Sequence, residues 1–323
     1  MLTFSNEYFQ DEVRDGFYVP GIMKCTWAAE LKVLDALAEF FQKHGLTYYA
    51  DFGTLLGAVR HGGFIPWDDD IDIAMSRRDF MKFMEHSKEL PEPYQLLSIY
   101  NSDTFYNFHA VVTNNNYAEK LQWDEKRLED FYGCPFIVSI DIYPLDYLPR
   151  NEEQARQQQL LYTIAYNLVR QCVNIEEAER QGMPVSKEKR TAFKNGMEQL
   201  KEHLRLLYGR KIRVESDRPL RNALCRAADQ IAMSCREEDA DQVDYYAHLA
   251  FAEFPMYRDK EWYQAAVQLP FENMQINAPA VYTAVLEKRF GPNYLEMVRE
   301  GSAHDYPFYK KQEEYFRFMG NLS

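Results

Sequence analysis

Residues 53–72 read GTLLGAVRHGGFIPWDDDID, and within them Asp68, Asp69, Asp70 and Asp72 put four carboxylates into five positions. Like charges a few ångströms apart raise each other's pKa and oppose compaction, so a chain that keeps them needs something positive nearby. A short acidic run is most often a solvated turn, but the flanks here argue for more. LTYYADF (46–52) is short, aromatic and alternating, as a strand is, and GTLLGAVRHGG then offers a brief helix between a Gly-Thr opening and a Gly-Gly close. IDIAM (71–75) resumes period two. That geometry sets Asp68, Asp70 and Asp72 on one face of an extended segment, with Asp69, Ile71 and Ile73 on the other.

Hard oxygen ligands at this spacing suit Mg2+ or Mn2+, which take a few carboxylates and complete their shell with substrate phosphates and water. A second acid framed by aliphatics occurs in VSIDIYPLD, where Asp141 lies between Ile140 and Ile142 as Asp72 lies between Ile71 and Ile73. Adjacent strands would bring these acids together. Gly53 and Thr54 fall where the first strand ends and the short helix begins, a place where backbone amides and a hydroxyl suit phosphate oxygens and glycine permits close approach.

Working outward, Trp27, Leu31, Leu34, Leu37 and Phe41 recur at helical spacing over 23–43, with Gly45 as a stop. SRRDFMKFMEHSKEL (76–90) restarts that period behind Ser76 and Asp79, spaced as a capping box, and Pro91 and Pro93 end it. YNFHAVVT (106–113) and FIVSIDIYPL (136–145) are further strand candidates. Helices alternating with strands predict an α/β (α+β) fold, a mixed sheet flanked by helices, over residues 1–150. QQQLLYTIAYNLVRQ and NGMEQLKEHLRLLY carry apolar residues at helical spacing and predict a helical subdomain or insertion over 151–240. The segment 241–323 completes the catalytic domain with short aromatic strands around YYAHLAF and VQLPFENMQI and a helix in AVYTAVLEKRFG; the terminal GNLS is the expected mobile end.

The 323 residues carry a net charge of -13, so no excess of basic side chains is available to replace phosphate counterions, and nucleic acid is excluded as a general partner. MLTFSNEYFQDEV has neither a basic start nor an apolar run, and no later apolar run approaches the ~20 residues a bilayer requires. The expectation is a cytoplasmic protein without a transmembrane segment, whose transient membrane visit would need a local basic patch. Five cysteines, odd in number and without a C-x-x-C pair, read as buried thiols.

Several residues also have plainer readings. A lone histidine such as His61 or His109 is more often structural than a ligand. Trp67, Trp123, Tyr143 and Tyr147 could box a quaternary ammonium, but core packing explains any one ring more economically. Asp146 suits a turn cap, and Arg77 and Arg78 suit the solvated first turn of a helix.

DFGTLLGAVRHGGFIPWDDDIDIAMSRRDFMKF, followed by SIDIYPLDYLP, resembles the LicD/fukutin family of the nucleotidyltransferase fold, whose bacterial members are best known as phosphocholine transferases decorating cell-surface glycans. The resemblance is dense over 48–84, clear over 138–149 and faint over LPFENMQINAPAVYTAVLEKRFGPNYLEM. It departs after Gly291, where a Pro and then a basic, often His-containing segment is expected and the chain reads EMVREGSAHDYPFYKK, with Arg299 and His304 only loosely placed.

The resemblance implies Mg2+-dependent transfer of a phosphorylated group from CDP-choline, or a similar cytidine diphosphate donor, to a hydroxyl of a glycan acceptor such as lipopolysaccharide or teichoic acid. It implies Asp70 and Asp72 as metal ligands, Asp141 as a third ligand or the base, and Asp68 in reserve. Gly53 and Thr54 would meet the donor phosphates, Arg60 would neutralise developing phosphoryl charge, and His61 has a weaker claim on substrate. Two other classes stay open: a metal-dependent glycosyltransferase using a nucleotide-sugar, and a non-catalytic binding protein of the same fold.

Overall fold

The structure is a computed structural model that describes residues 2–114, 125–251 and 256–298. Trp123, Arg299, His304 and the terminal GNLS lie outside the described residues.

After a 3-10 turn at Asn6–Phe9, a hairpin of β1 (Glu12–Arg14) and β2 (Phe17–Val19) leads into α1 (Gly21–His44), whose Trp27, Leu31, Leu34, Leu37 and Phe41 are buried. Gly45 ends this helix in the left-handed conformation at φ 63°. β3 (Tyr48–Ala50), α2 (Phe52–Arg60), β4 (Ile71–Ser76) and α3 (Arg77–His86) follow. The Ser76 hydroxyl caps α3 by accepting from the Asp79 amide at 3.1 Å, and the Asp79 carboxylate turns away to accept from the Thr47 amide, so the cap is one-sided.

β5 (Gln95–Leu97), β6 (Ala110–Thr113), α4 (Glu125–Asp130) and the long β7 (Ser139–Pro149) complete the central sheet, ordered β3-β4-β7-β6-β5. β4 and β7 run parallel, and the other pairs in that order are antiparallel. Ile71, Ile73, Ile140 and Ile142 are wholly buried, as expected for a sheet covered by helices. β6 starts at Ala110, later than the sequence pattern suggests, which leaves Tyr106–His109 outside the ladder.

α5 (Glu152–Arg180), α6 (Lys187–Tyr208) and α7 (Leu220–Ala232) share a second core built from Leu161, Ala165, Leu168, Leu200, Leu224 and Ala228. β8 (Ala240–Asp244) returns to pair with Asp146–Pro149 of β7. YYAHLAF, expected as a strand, instead turns into the short helix α8 (His248–Phe251); the strand is the preceding ADQVD. β9 (Arg258–Asp259) pairs β8, and the hairpin β10 (Ala266–Phe271) with β11 (Met274–Pro279) lays Phe271, Ile276 and Ala278 on the first core. α9 (Tyr282–Phe290) ends at Gly291.

Two buried arginines fasten these layers. Arg77, expected in solvent, is buried and grips Asp146 of β7 through two bonds of 2.7 Å and Asp229 of α7 at 2.9 Å. Asp146 is therefore a buried ion-pair partner in mid-strand and not a turn cap; burial raises its pKa to about 6 against the pull of Arg77. Arg258 likewise spans Asp51 at 2.6 Å and Asp244 at 3.1 Å. Both arginines were hidden from sequence reasoning because their partners lie far away along the chain.

Candidate active site

The site begins at Asp51, which ends β3 and caps α2 by accepting from the Phe52 amide at 2.9 Å. Burial pushes the Asp51 carboxyl up, but the Arg258 guanidinium outweighs it and holds the group below the usual carboxylate range. Phe52 has φ 48°, a left-handed conformation that a bulky side chain adopts only where its surroundings enforce it. This turn sets Gly53 against the acidic loop. A Cβ there would meet the Asp68 carboxylate at 2.4 Å, so only glycine allows Asp68 to approach.

Thr54 is buried, and its hydroxyl accepts from the Asp72 amide at 2.8 Å. That bond braces the start of β4. In the adjacent strand Asp141 is the register partner of Asp72, so the two side chains leave the same face of the sheet, with backbones about 4.8 Å apart.

Asp68, Asp70, Asp72 and Asp141 line one cavity of about 690 Å³ with Gly53. Burial, then the charges of Asp70, Asp141 and Asp68, push the Asp72 carboxyl well above the usual carboxylate range. Asp68 moves the same way through burial and its contact with Asp70. Among the described residues no Lys or Arg is within ion-pair distance of Asp72. These carboxylates form a set of hard oxygen donors, and the set fits a divalent cation completed by substrate phosphate. The residues that would hold such an ion are Asp70 and Asp72, with Asp141 or Asp68 beside them.

His109, just before β6, places Nε2 at 3.3 Å from the Asp141 carboxylate, and the Tyr143 hydroxyl reaches the same oxygen at 3.5 Å. Arg289 of α9 enters the cavity with its guanidinium 3.9 Å from the centre of the Phe52 ring. Burial lowers its pKa, and the charges of Asp51 and Asp72 partly restore it. From the helical layer, Tyr166 and Arg170 of α5 form another wall, and Tyr245 stands edge-on to Tyr143 at 4.9 Å.

The structure thus brings Gly53 and the expected acids into one cavity, while Thr54 lies behind its wall. It does not bring Arg60 and His61 there. Their side chains bond to each other at 2.9 Å and line a separate cavity with Arg14, Asp15 and Glu272. Trp67 is not among the lining residues either; it packs edge-on against Phe17.

Residues 45–157 match the family model described as "LicD/FKTN/FKRP, nucleotidyltransferase domain". Over this stretch the chain resembles the LicD/fukutin family. Its relatives include the lipopolysaccharide cholinephosphotransferase LicD of Haemophilus influenzae, 44% identical over 55 residues, which is 17% of this chain and 21% of that protein. An uncharacterized protein of Rickettsia prowazekii is 31% identical over 112 residues, 33% of this chain and 41% of its own length. Another, from Rickettsia typhi, is 47% identical over 47 residues, 15% of each chain. The matching stretches thus span between 15% and 41% of these relatives' lengths.

The LicD/fukutin match holds Gly53, the acidic loop, His109 and Asp141. It stops before Tyr166, Arg170, Tyr245 and Arg289. The half of the cavity that carries the acids therefore lies inside the family domain, and the cationic and aromatic wall opposite lies outside it. Sequence reasoning missed Arg289 because RF at the end of AVYTAVLEKRFG shows only a helix closing before Gly291. The faint resemblance of that tail was the one signal pointing to it.

Proposed function

We propose that the protein is a Mg2+-dependent phosphotransferase that moves phosphocholine, or a related phospho-alcohol, from a CDP-linked donor to a sugar hydroxyl of a cell-surface glycan or its precursor. The observation that carries this reading is the in-register pairing of Asp72 with Asp141 on the wall of a cavity that also holds Asp70, Gly53 and Arg289. The name of the Haemophilus influenzae relative favours phosphocholine as the transferred group.

Asp70 and Asp72 would hold a divalent ion, which would supply Lewis-acid neutralisation of phosphoryl oxygens. Gly53 lets the Asp68 carboxylate close against the turn at the edge of the donor site, and Arg289 balances negative charge on the oxygens that the acids cannot approach. Asp141 takes the proton of the attacking sugar hydroxyl, with His109 holding its carboxylate in place. The new bond joins that oxygen to the phosphorus bearing choline, the bond from this phosphorus to the bridging oxygen breaks, and CMP leaves. The ring faces of Tyr143, Tyr166 and Tyr245 suit the quaternary ammonium. Among the described residues no helix is long and apolar enough to cross a membrane.

Product analysis by phosphorus NMR tests the proposal, using CDP-choline, Mg2+ and a panel of sugar acceptors. Release of CMP with a new choline phosphodiester on the sugar is expected. Transfer of the nucleotide with release of phosphocholine would overturn the point of attack, and turnover of UDP-glucose instead would move the protein to glycosyl transfer.

A further inference from the structure

Away from the acidic cavity, His44 in the last turn of α1, His86 in the last turn of α3 and Glu89 in the 3-10 turn that follows α3 come together. One ligand atom from each lies within 4.8 Å of the other two. Glu89 forms the centre: one carboxylate oxygen sits 2.8 Å from Nδ1 of His86, and the other 3.5 Å from Nε2 of His44. None of the three lines the acidic cavity. His44 precedes β3 at its Tyr48 end, whereas the acids gather beyond its Ala50 end.

We propose that His44, His86 and Glu89 form a second metal site, for a borderline cation of the Zn2+ type, which ties the end of α1 to the end of α3. The first reason is the donor set. Two imidazoles and one carboxylate make the N/N/O combination that zinc takes, leaving a fourth position for water, whereas Mg2+ prefers oxygen alone.

The second reason is an atom without a use. Nε2 of His44 is buried and has no hydrogen-bond partner. Its distance of 3.5 Å from Glu89 is too long to satisfy it, and a buried polar atom left unpaired costs free energy that a metal bond would recover. Phe40 packs on the His44 ring at 4.4 Å between centres and holds that nitrogen facing Glu89. The third reason is the local field: two helices end here, and the partial negative charge of their carbonyl ends favours a cation.

Ligand atoms around a tetrahedral zinc with bonds of about 2.0–2.1 Å stand roughly 3.3 Å apart. The two Glu89 contacts, 2.8 Å and 3.5 Å, come from different oxygens, and small rotations of the half-exposed His86 and exposed Glu89 side chains bring the three ligand atoms, which lie within 4.8 Å of one another, to that spacing. Lys43, whose ammonium lies 3.7 Å from Glu89, competes for the carboxylate but is itself 68% exposed and free to swing into solvent.

Zn2+ and Co2+ titrations of the full chain in excess Mg2+ test the site. The expected result is one bound Zn2+ that Mg2+ does not displace, a rise of about 3–5 °C in Tm at saturation, and strong visible ligand-field bands with Co2+, as four-coordinate sites give. Replacing the half-exposed His86 with Gln leaves the fold intact and is expected to remove both the binding and the bands. The same titration on Asp72→Asn is expected to keep them. Unchanged Zn2+ affinity in His86→Gln, loss of the bands in Asp72→Asn, or no Zn2+ binding by the unmodified chain would each overturn the proposal.

Discussion

Asp72 of β4 and Asp141 of β7 are register partners across a parallel strand pair, flanked on both sides by isoleucines that are wholly buried. The isoleucines fix the register, because a slip of one residue would turn them to the cavity and the acids into the core. Core packing thus places the two carboxylates on one face. Everything proposed for the cavity builds on that pairing.

Asp72→Asn removes a carboxylate that the fold does not use as an ion-pair partner. Loss of the proposed divalent ion would forfeit several kcal/mol of transition-state stabilisation, so turnover should fall on the order of 10³-fold. The circular dichroism spectrum should be unchanged and Tm equal or higher, since one of four crowded charges is gone. Retained turnover would reject the assignment.

Gly53→Ala puts a methyl group 2.4 Å from the Asp68 carboxylate. Either Asp68 or the turn at Phe52 must move, at a cost of about 1–3 kcal/mol. Transfer activity should drop more steeply than Tm, because the displaced groups line the cavity. A variant with full activity would show that the close approach of Asp68 to Gly53 has no catalytic value.

Arg289→Gln and Arg60→Gln separate two candidate cations. Arg289 faces the acids and should be needed, with kcat/KM falling about 10²-fold or more as for other charge-stabilising donors. Arg60, turned toward His61 and the carbonyls of Tyr294 and Glu296, should be dispensable for the transfer step. The reverse pattern in steady-state kinetics would restore Arg60 to the site.

Glu30 of α1 is buried beneath the acidic loop, and one of its oxygens has no hydrogen-bond partner. Burial, then the charges of Asp69 and Asp70, push its pKa well above 4.5. A carboxyl raised in the fold keeps its proton where the unfolded chain loses it. Its contribution therefore turns against folding as pH rises above 4.5 through the higher folded value, and vanishes below 4.5. Glu30→Gln should raise Tm at neutral pH and leave it unchanged at pH below 4.5. Equal Tm values at both ends of a thermal scan series would refute this.

Asp146→Asn breaks the paired contact with Arg77 and leaves that buried guanidinium with only Asp229 among its carboxylate partners. Removing one member of a buried pair costs about 3–5 kcal/mol. Denaturant titration should show a loss of this size, with kcat little changed in the fraction that remains folded.

The sequence pattern revealed the acidic half of the cavity because every part of it is local. A strand, a Gly-Thr turn, a short helix and DDDID follow one another within 48–72, and period two alone sorts Asp68, Asp70 and Asp72 from Asp69 and the isoleucines. SIDIY repeats the same frame, so Asp141 could be matched to Asp72 without knowing the sheet order. The opposite wall was not legible. Tyr166, Arg170, Tyr245 and Arg289 occupy helices and a turn whose local pattern is satisfied by packing, and only tertiary structure turns them inward. Thr54 shows a subtler gap: its position was legible, but its hydroxyl is committed to the Asp72 amide, a choice that depends on where β4 begins. Arg77 failed for the same reason, since a first-turn arginine looks solvated until Asp146 and Asp229 are seen behind it.

The most direct test of the central claim is a calorimetric titration of the purified chain with CDP-choline in Mg2+, beside CTP, UDP-glucose and a chelator control. Saturable binding of CDP-choline is expected, lost with the chelator and in Asp72→Asn and not reproduced by UDP-glucose. Metal-independent binding of CDP-choline, or metal-dependent preference for UDP-glucose, would contradict that claim.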